Sequence, residues 1–167
     1  MANKPRKRKP ASRRATPPLT RAMLLPTHAA TTRACSLANH LALAALRRGQ
    51  GNLELVGRLL KTVYLTYLVG GAGQGWADVE PFLTAEVALT ASMMRARSDD
   101  RWRVDEADCA SLETILALHD TQLASVPVHV IETAKLRLTR EVQDNRTPDM
   151  AVMSGSPQWR QRADNPA

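Results

Sequence analysis

The sequence predicts an all-α fold, an antiparallel bundle of four or five helices with a disordered tail at each end. Apolar residues recur at three- and four-residue spacing through most of residues 22–143, which is the period of amphipathic helices. Aromatic residues make up only 4% of the chain, although hydrophobic residues make up 44%. The core must therefore consist of Leu, Val and Ala, which suit helix packing better than a sheet.

Charge and composition divide the chain into residues 1–21, 22–143 and 144–167. The first segment holds eight of the 23 Lys and Arg residues and no acid. Since the whole chain has a formal net charge of +7, the other residues together carry −1. The first segment is poor in large apolar residues and rich in proline, so it cannot form a packed core. We expect a disordered basic arm, one helical domain of ordinary size and a disordered polar tail.

The stretch from His40 to Gly71 is the predicted centre of the fold. It indicates the end of a first helix, a turn in which Gly49 or Gly51 takes a left-handed conformation, and a second helix that begins after the N-cap Asn52 and ends at a glycine pair. The second helix is apolar over most of its circumference, as expected of a central helix. The first helix is predicted over residues 31–48. Its predicted inward stripe consists of Leu37, Leu41, Ala44 and Ala45.

Three further helices are predicted downstream. The third begins at Asp78, the fourth follows Asp105, and the fifth runs from Pro127 to Gln143. The predicted inward face of the third consists of Phe82, Leu83, Val87, Thr90, Met93 and Met94. That of the fourth consists of Leu112, Ile115, Leu116, His119 and Leu123.

The glycines after the second helix alternate in the sequence GAGQG, which is superficially similar to a phosphate-binding loop. A dinucleotide-binding fingerprint follows a strand, however, and the loop of nucleotide hydrolases ends in Lys and Ser or Thr. Here a predicted helix precedes the glycines, and Trp76 follows them. We favour a connector whose Trp76 folds back onto the core.

Two histidines and one glutamate are candidates for a metal site inside the bundle. His40 and His119 fall on or beside predicted apolar stripes, and Glu86 lies among the inward residues of the third helix. Bundles that bind iron carry Glu-x-x-His pairs, and this sequence has none. A histidine on an apolar face is more often a hydrogen-bonded core residue, so we expect no metal and no cofactor. No nucleophile motif predicts catalysis either, and we expect a protein that is not an enzyme.

Arginines surround Trp102 in the sequence ARSDDRWRV. Arginines interleaved with an aromatic residue grip phosphates and stack bases in some nucleic-acid-binding proteins. Here Asp99, Asp100 and Asp105 neutralise most of that charge. We favour a salt-bridged loop that is anchored by Trp102.

The fourth and fifth predicted helices also have the connectivity of a helix-turn-helix. In that hypothesis, Lys135, Arg137 and Arg140 of the fifth helix face DNA. The turn lacks the usual glycine, and Glu132 and Glu141 dilute the positive charge. These features favour an ordinary pair of helices.

The basic arm is the strongest electrostatic signal in the sequence. Flexible basic segments bind phosphate backbones through counterion release, without sequence preference. The alternative is a solubilising tail. A composition rich in Ala, Leu and Arg indicates a bacterium, which disfavours nuclear import. The arm residues expected to contact DNA are Lys4, Arg6, Lys7, Arg8, Lys9, Arg13 and Arg14.

Cysteine usage and hydropathy indicate the compartment. Cys35 and Cys109 have neither CxxC spacing nor a disulfide framework, which fits a reducing environment. The chain lacks the run of about 18 apolar residues that a membrane span requires. The apolar run after Arg21 is too short for a signal peptide. We expect a cytoplasmic protein without membrane contact.

Two parts of the chain, HLALAALRRGQGN…LLKTVYLTYLV and LETILALHDTQLASVP, resemble small helical proteins from proteobacterial plasmids and other mobile elements. Some of these proteins are labelled Fis-type transcriptional regulators. The resemblance covers residues 36–138, and it implies a DNA-associated role in transcription regulation. A Fis-type recognition helix is not discernible after residue 144.

We therefore expect a non-enzymatic helical regulator or accessory protein that contacts DNA through its arm. One alternative is a protein–protein adaptor or inhibitor without a nucleic-acid role, and another is a metal-binding bundle. Expected partners are DNA, a protein, or a second copy of the chain in a two-fold dimer.

Overall fold

A computed structural model of the chain describes residues 18–72, 78–99, 101–144 and 146. This part of the chain forms one short 3-10 helix, Arg21–Leu24, and five α-helices. The α-helices are α1 Ala29–Arg47, α2 Leu53–Gly71, α3 Glu80–Asp99, α4 Glu106–Ser125 and α5 Val128–Gln143. The predicted all-α class and the helical bundle are confirmed. The predictions for the arm, for Trp76 and for most of the tail lie outside the described residues.

Local sequence explains where α1 ends and α2 begins. Gly49 has a φ of 71°, a left-handed conformation that glycine adopts without strain, and it directly follows the C-cap of α1. The side-chain oxygen of Asn52 accepts a hydrogen bond of 2.9 Å from the backbone N–H of Leu55. The predicted N-cap of α2 is thus confirmed. Asp105 takes the N-cap position of α4, as predicted, but its side chain makes no capping hydrogen bond.

Helix α2 is the centre of the bundle, as predicted. It packs against α1, α3, α4 and α5, whereas α1 and α3 also pack against α4. Every residue from 62 to 70 is buried, so the second half of α2 is enclosed on all sides. Helix α5 lies on α2 beside the 3-10 helix. The body therefore consists of a four-helix unit, α1 to α4, with α5 added on the outside of α2.

Polar contacts join residues 23–26, at the start of the body, to residues 127–129 at the start of α5. We call this set of contacts the clasp. The backbone N–H of Val128 donates to the carbonyl oxygen of Leu25 at 2.9 Å. Nδ1 of His129 donates to the carbonyl oxygen of Met23 at 2.9 Å. Pro26 and Pro127 form an isolated antiparallel bridge between these contacts. Residues 23–26 are thereby fixed to α5, and the arm leaves the body from a defined point.

The predicted inward stripe of α1 was wrong. Leu37 is 60% exposed and Leu41 is 59% exposed. The residues that α1 buries are instead Asn39, Ala42, Leu43 and Leu46. Helix α1 carries two apolar stripes at helical spacing, and periodicity alone does not tell which of them faces the core.

The predicted inward face of α3 was partly wrong, whereas that of α4 was right. On α3, Val87 is 67% exposed and Met94 is 59% exposed. The residues that α3 buries are Phe82, Ala85, Ala88, Leu89 and Ser92. Three of these five side chains are small, and they allow the neighbouring helices to approach closely. The α4 residues predicted to face inward are all buried: Leu112, Ile115, Leu116, His119 and Leu123.

Among the helices within residues 18–146 that the structure describes, none is both long enough and apolar enough to cross a bilayer.

Candidate functional site

The three residues considered for a metal site do not converge. His40 lies on α1, Glu86 on α3 and His119 on α4, and each has a different hydrogen-bond partner. In the same order, these partners are Asp120, Tyr64 and Thr66. Within the described residues, no three His, Cys, Asp or Glu side chains lie close enough together to hold a metal ion.

The first cluster links α1 to α4 near the surface. The hydroxyl of Ser36 donates to Oδ2 of Asp120 at 2.7 Å, and Nε2 of His40 lies 3.1 Å from the same oxygen. In a nucleophilic triad, the imidazole lies between the carboxylate and the hydroxyl and accepts the hydroxyl proton. Here the hydroxyl donates directly to the carboxylate, so His40 is not placed to activate Ser36. The arrangement is that of a link between two helices.

The second cluster links α2 to α3. The phenol of Tyr64 donates to Oε1 of Glu86 at 2.6 Å. Burial raises the pKa of Tyr64, and the nearby Glu86 carboxylate raises it further. A neutral phenol is thus held as a hydrogen-bond donor, and the Glu86 carboxylate that was considered for a metal site accepts its hydrogen bond instead.

The third cluster surrounds His119, which is only 5% exposed. The hydroxyl of Thr66 donates to the carbonyl oxygen of Thr62 at 2.7 Å, and it lies 3.1 Å from Nδ1 of His119. Because the Thr66 proton is already donated, Nδ1 of His119 carries a proton and donates it to Thr66. Nε2 is then the nitrogen without a proton.

Burial keeps this histidine neutral. Loss of hydration lowers the pKa of His119 to about 4. Asp120 works against this shift, and Lys135 adds to it. At neutral pH the ring therefore offers one hydrogen-bond donor, used by Thr66, and one acceptor at Nε2.

His119 lines a cavity of about 220 Å³ that α1, α2, α4 and α5 enclose. Asn39 and Thr62, both at least nine-tenths buried, also line it, while exposed cations from α2 and α5 surround its mouth. These cations are Arg58, Lys61 and Lys135. The lining is mainly apolar with these few polar groups among it, and the volume suits a few water molecules or one small molecule. Sequence reasoning found His119 but missed Asn39, because the lining comes from four helices that no local pattern connects.

Helix α5 does not present its predicted DNA-facing cations freely. Nζ of Lys135 lies 2.8 Å from Glu132, and Nε of Arg137 lies 2.8 Å from Glu141. Arg140 is exposed. Moreover, α5 makes its main contacts with α2 and the 3-10 helix, whereas the second helix of a helix-turn-helix packs against the first. The helix-turn-helix hypothesis gains no support from this geometry.

The predicted anchoring of the loop before α4 by Trp102 is confirmed, and one ion pair of the predicted salt-bridged loop is present. The Arg95 guanidinium donates to the carbonyl oxygen of Arg103 at 2.8 Å and lies 3.6 Å from Asp105. Trp102 is half-buried and packs against the core. The contacts of Arg95 and the packing of Trp102 thus fix the position of the loop.

Other cations of the body are similarly compensated. Arg47 of α1 contacts Glu106 at 3.0 Å and Glu113 at 2.9 Å, both on α4. Arg58 lies 3.9 Å from Glu54 on the same helix. Positive charge without neighbouring acid in the sequence is therefore concentrated in residues 1–21.

Comparison with known proteins gave no relative: no family model, no curated protein and no solved structure matches the chain.

Proposed function

We propose that this chain is a non-enzymatic helical accessory protein that associates with DNA through residues 1–21 and contacts proteins through its helical body. The observation that carries the proposal is the separation of charge. Eight cations and no acid lie within residues 1–21. The rest of the chain has nearly equal numbers of both signs, and six ion pairs between Lys or Arg and an acid involve α-helices of the described body.

A segment with many cations and no acid suits the regular phosphates of duplex DNA better than the acidic surface of a particular protein. Lys and Arg side chains that neutralise phosphates release condensed counterions, and this release drives binding without sequence preference. The ion pairs on the body are exposed, so each contributes little affinity for a polyanion while its acid remains nearby. The arm is thus expected to supply the nucleic-acid affinity, and two unpaired thiols, Cys35 and Cys109, fit the cytoplasmic location that we propose.

The salt dependence of DNA binding tests this proposal. Fluorescence anisotropy with a mixed-sequence duplex would compare the full chain with a chain that lacks residues 1–17, which retains the 3-10 helix and the clasp. Seven cations are removed by this deletion. If all seven contact phosphates, the slope of log K against log salt is about −6 for the full chain. We expect a slope near zero, and much weaker binding, after the deletion.

Two full-length variants sharpen the comparison. In the first, the seven arm cations are changed to Gln, which preserves length but removes charge. In the second, Lys135→Gln, Arg137→Gln and Arg140→Gln neutralise α5. We expect the arm variant to behave like the deletion and the α5 variant to behave like the unchanged chain. The reverse result, or equal salt-insensitive binding by all forms, would overturn the arm proposal.

The second candidate is a protein–protein adaptor or inhibitor in which the arm has no nucleic-acid role. The exposed leucines of α1 favour it, because they form an apolar stripe that no helix of the described body covers. Absence of DNA binding by every form would select this candidate over the first.

A further inference from the structure

The outer side of α1 carries a continuous stripe of apolar residues. Spacing along the stripe alternates between four and three residues, which is the heptad pattern of helices that pair with another helix. The stripe consists of Ala30, Ala34, Leu37, Leu41 and Ala44, all of them exposed. Single exposed leucines are ordinary on protein surfaces, but a heptad stripe opposite the core-facing side of the same helix is not.

This stripe is symmetric in sequence about position 39. Leu37 and Leu41 lie two residues before and after that position, and Ala34 and Ala44 lie five residues before and after it. A second copy of α1 laid antiparallel and centred at the same position therefore places Leu37 against Leu41. It also places Ala34 against Ala44. These are the pairs that antiparallel heptads form, and small alanines at the ends let the two helices approach closely.

Charges at the edge of the stripe select the same orientation. Arg33 and Arg48 are exposed near the two ends of α1. In an antiparallel pair, each arginine lies level with an alanine of the other copy, Ala45 or Ala30. A parallel pair would instead place each arginine beside its own equivalent, and like charges at close range are destabilising.

We propose that the occupant of this stripe is a second copy of the chain, in an antiparallel two-fold α1–α1 dimer centred near residue 39. The proposal goes beyond DNA association and does not require it. A two-fold contact uses the same patch on both copies, so one self-complementary stripe suffices for a closed dimer.

The area available is adequate for a dimer of moderate affinity. Helix α4 packs beside α1 and adds small uncharged residues on its exposed side, namely Ala110, Thr114, Ala117 and Thr121. Two adjacent helices of 19 and 20 residues present a face of about 28 by 20 Å. Pairing this face in two copies covers about 1,100 Å², which is close to the lower end of specific interfaces. We therefore expect a dimer that dissociates on dilution.

One consequence rests on the proposed function. Residue 29, the start of α1, lies ten residues from the symmetry centre, which is about 15 Å along the helix. The two copies of residue 29 would then lie about 30 Å apart along the paired helices, close to the length of one turn of duplex DNA. The dimer itself can be tested without DNA, so its failure and the failure of the arm proposal are distinguishable.

Sedimentation equilibrium of the full chain over a wide range of concentration tests the dimer. We expect a reversible monomer–dimer equilibrium for the unchanged chain. The double variant Leu37→Gln, Leu41→Gln should have a dimer dissociation constant that is higher by about tenfold or more. The matched control is Val87→Gln, Met94→Gln, since those α3 residues are equally exposed and lie on another helix. Circular dichroism would verify that both variants fold. A chain that remains monomeric at every concentration, or a control that weakens the dimer equally, overturns the proposal.

Cross-linking tests the orientation. In a Cys35→Ser background, the double variant Ala34→Cys, Ala44→Cys should form a covalent dimer under mild oxidation, because the two cysteines face each other across the symmetry axis. Each single variant should remain largely uncross-linked, since equivalent positions lie about 15 Å apart along the axis in an antiparallel pair. Efficient cross-linking of the single variants would instead indicate a parallel pair and overturn the antiparallel arrangement.

Discussion

Replacing His119 with glutamine should flatten the pH dependence of folding stability in mildly acidic solution. Burial lowers the pKa of His119 from 6.5 to about 4 in the folded chain. Between these two values, the unfolded chain binds a proton that the folded chain does not bind. The contribution of His119 to stability is therefore fully present above pH 6.5 and is lost as the pH falls toward 4.

The size of this effect follows from the shift. Within the window, each pH step lowers the free energy of unfolding by up to about 1.4 kcal/mol. Going from about pH 7.5 to about pH 4.5 should remove roughly 2.5 kcal/mol through this one group. Glutamine keeps a hydrogen-bond donor for Thr66 but does not titrate. The His119→Gln variant therefore lacks this pH-dependent contribution to the free energy of unfolding.

Urea unfolding followed by circular dichroism, repeated across this pH range, measures the difference. Carboxylates titrate in both proteins, so the informative quantity is the divergence between the two stability curves. His40→Gln is the matched control, because it replaces a histidine that is 46% exposed at its side chain and leaves His119 in place. Parallel curves for the unchanged chain and His119→Gln would refute the argument that burial keeps this histidine neutral.

Two further predictions concern the backbone and a partly buried hydrogen bond. Gly57→Ala should raise the thermal midpoint, with a gain of about 0.5–1 kcal/mol, because Gly57 lies inside α2 and an added Cβ meets nothing within 4 Å. Gly51→Ala should lower it, because an added Cβ would lie 2.8 Å from the carbonyl oxygen of Trp102; shifts of equal sign would contradict this pair. Tyr64→Phe removes the donor to Glu86 and should lower the free energy of urea unfolding by about 1–3 kcal/mol. An unchanged unfolding midpoint would show that water replaces the phenol without loss.

The sequence was sufficient to predict the fold class and to identify α2 as the central helix. Helix α2 is apolar around most of its circumference, and only a position among several neighbours buries such a helix. Helix α1 shows the limit of the same reasoning. Leu37 and Leu41 form a more hydrophobic stripe than Asn39, Ala42 and their neighbours, yet it is the second stripe that faces α2 and α4. Packing partners far along the chain decide between two stripes of equal period.

The polar clusters were harder to predict than the helices. A histidine on the inward face of α4 was visible in the sequence as a departure from an apolar pattern, and His119 is indeed buried. Its partner Thr66 lies 53 positions away, and nothing in either segment indicates the pairing. The same applies to Asp120, whose side chain contacts Ser36 and His40 on a helix 80 or more positions earlier. Such contacts depend on how each helix is rotated about its own axis. The spacing of apolar residues in the sequence does not fix this rotation closely enough to predict a particular pair of side chains.

The clasp between residues 23–26 and α5 has a consequence for how the chain acquires its shape during synthesis. Met23 and His129 are 106 positions apart, and their contact joins the first part of the body to be translated to the last helix. Helices α1 to α4 contain their own mutual contacts and emerge from the ribosome before α5 does. The exit point of the arm is therefore fixed only after α5 has been synthesised. Until then, the basic segment belongs to a nascent chain that is still tethered next to ribosomal RNA, itself a dense array of phosphates.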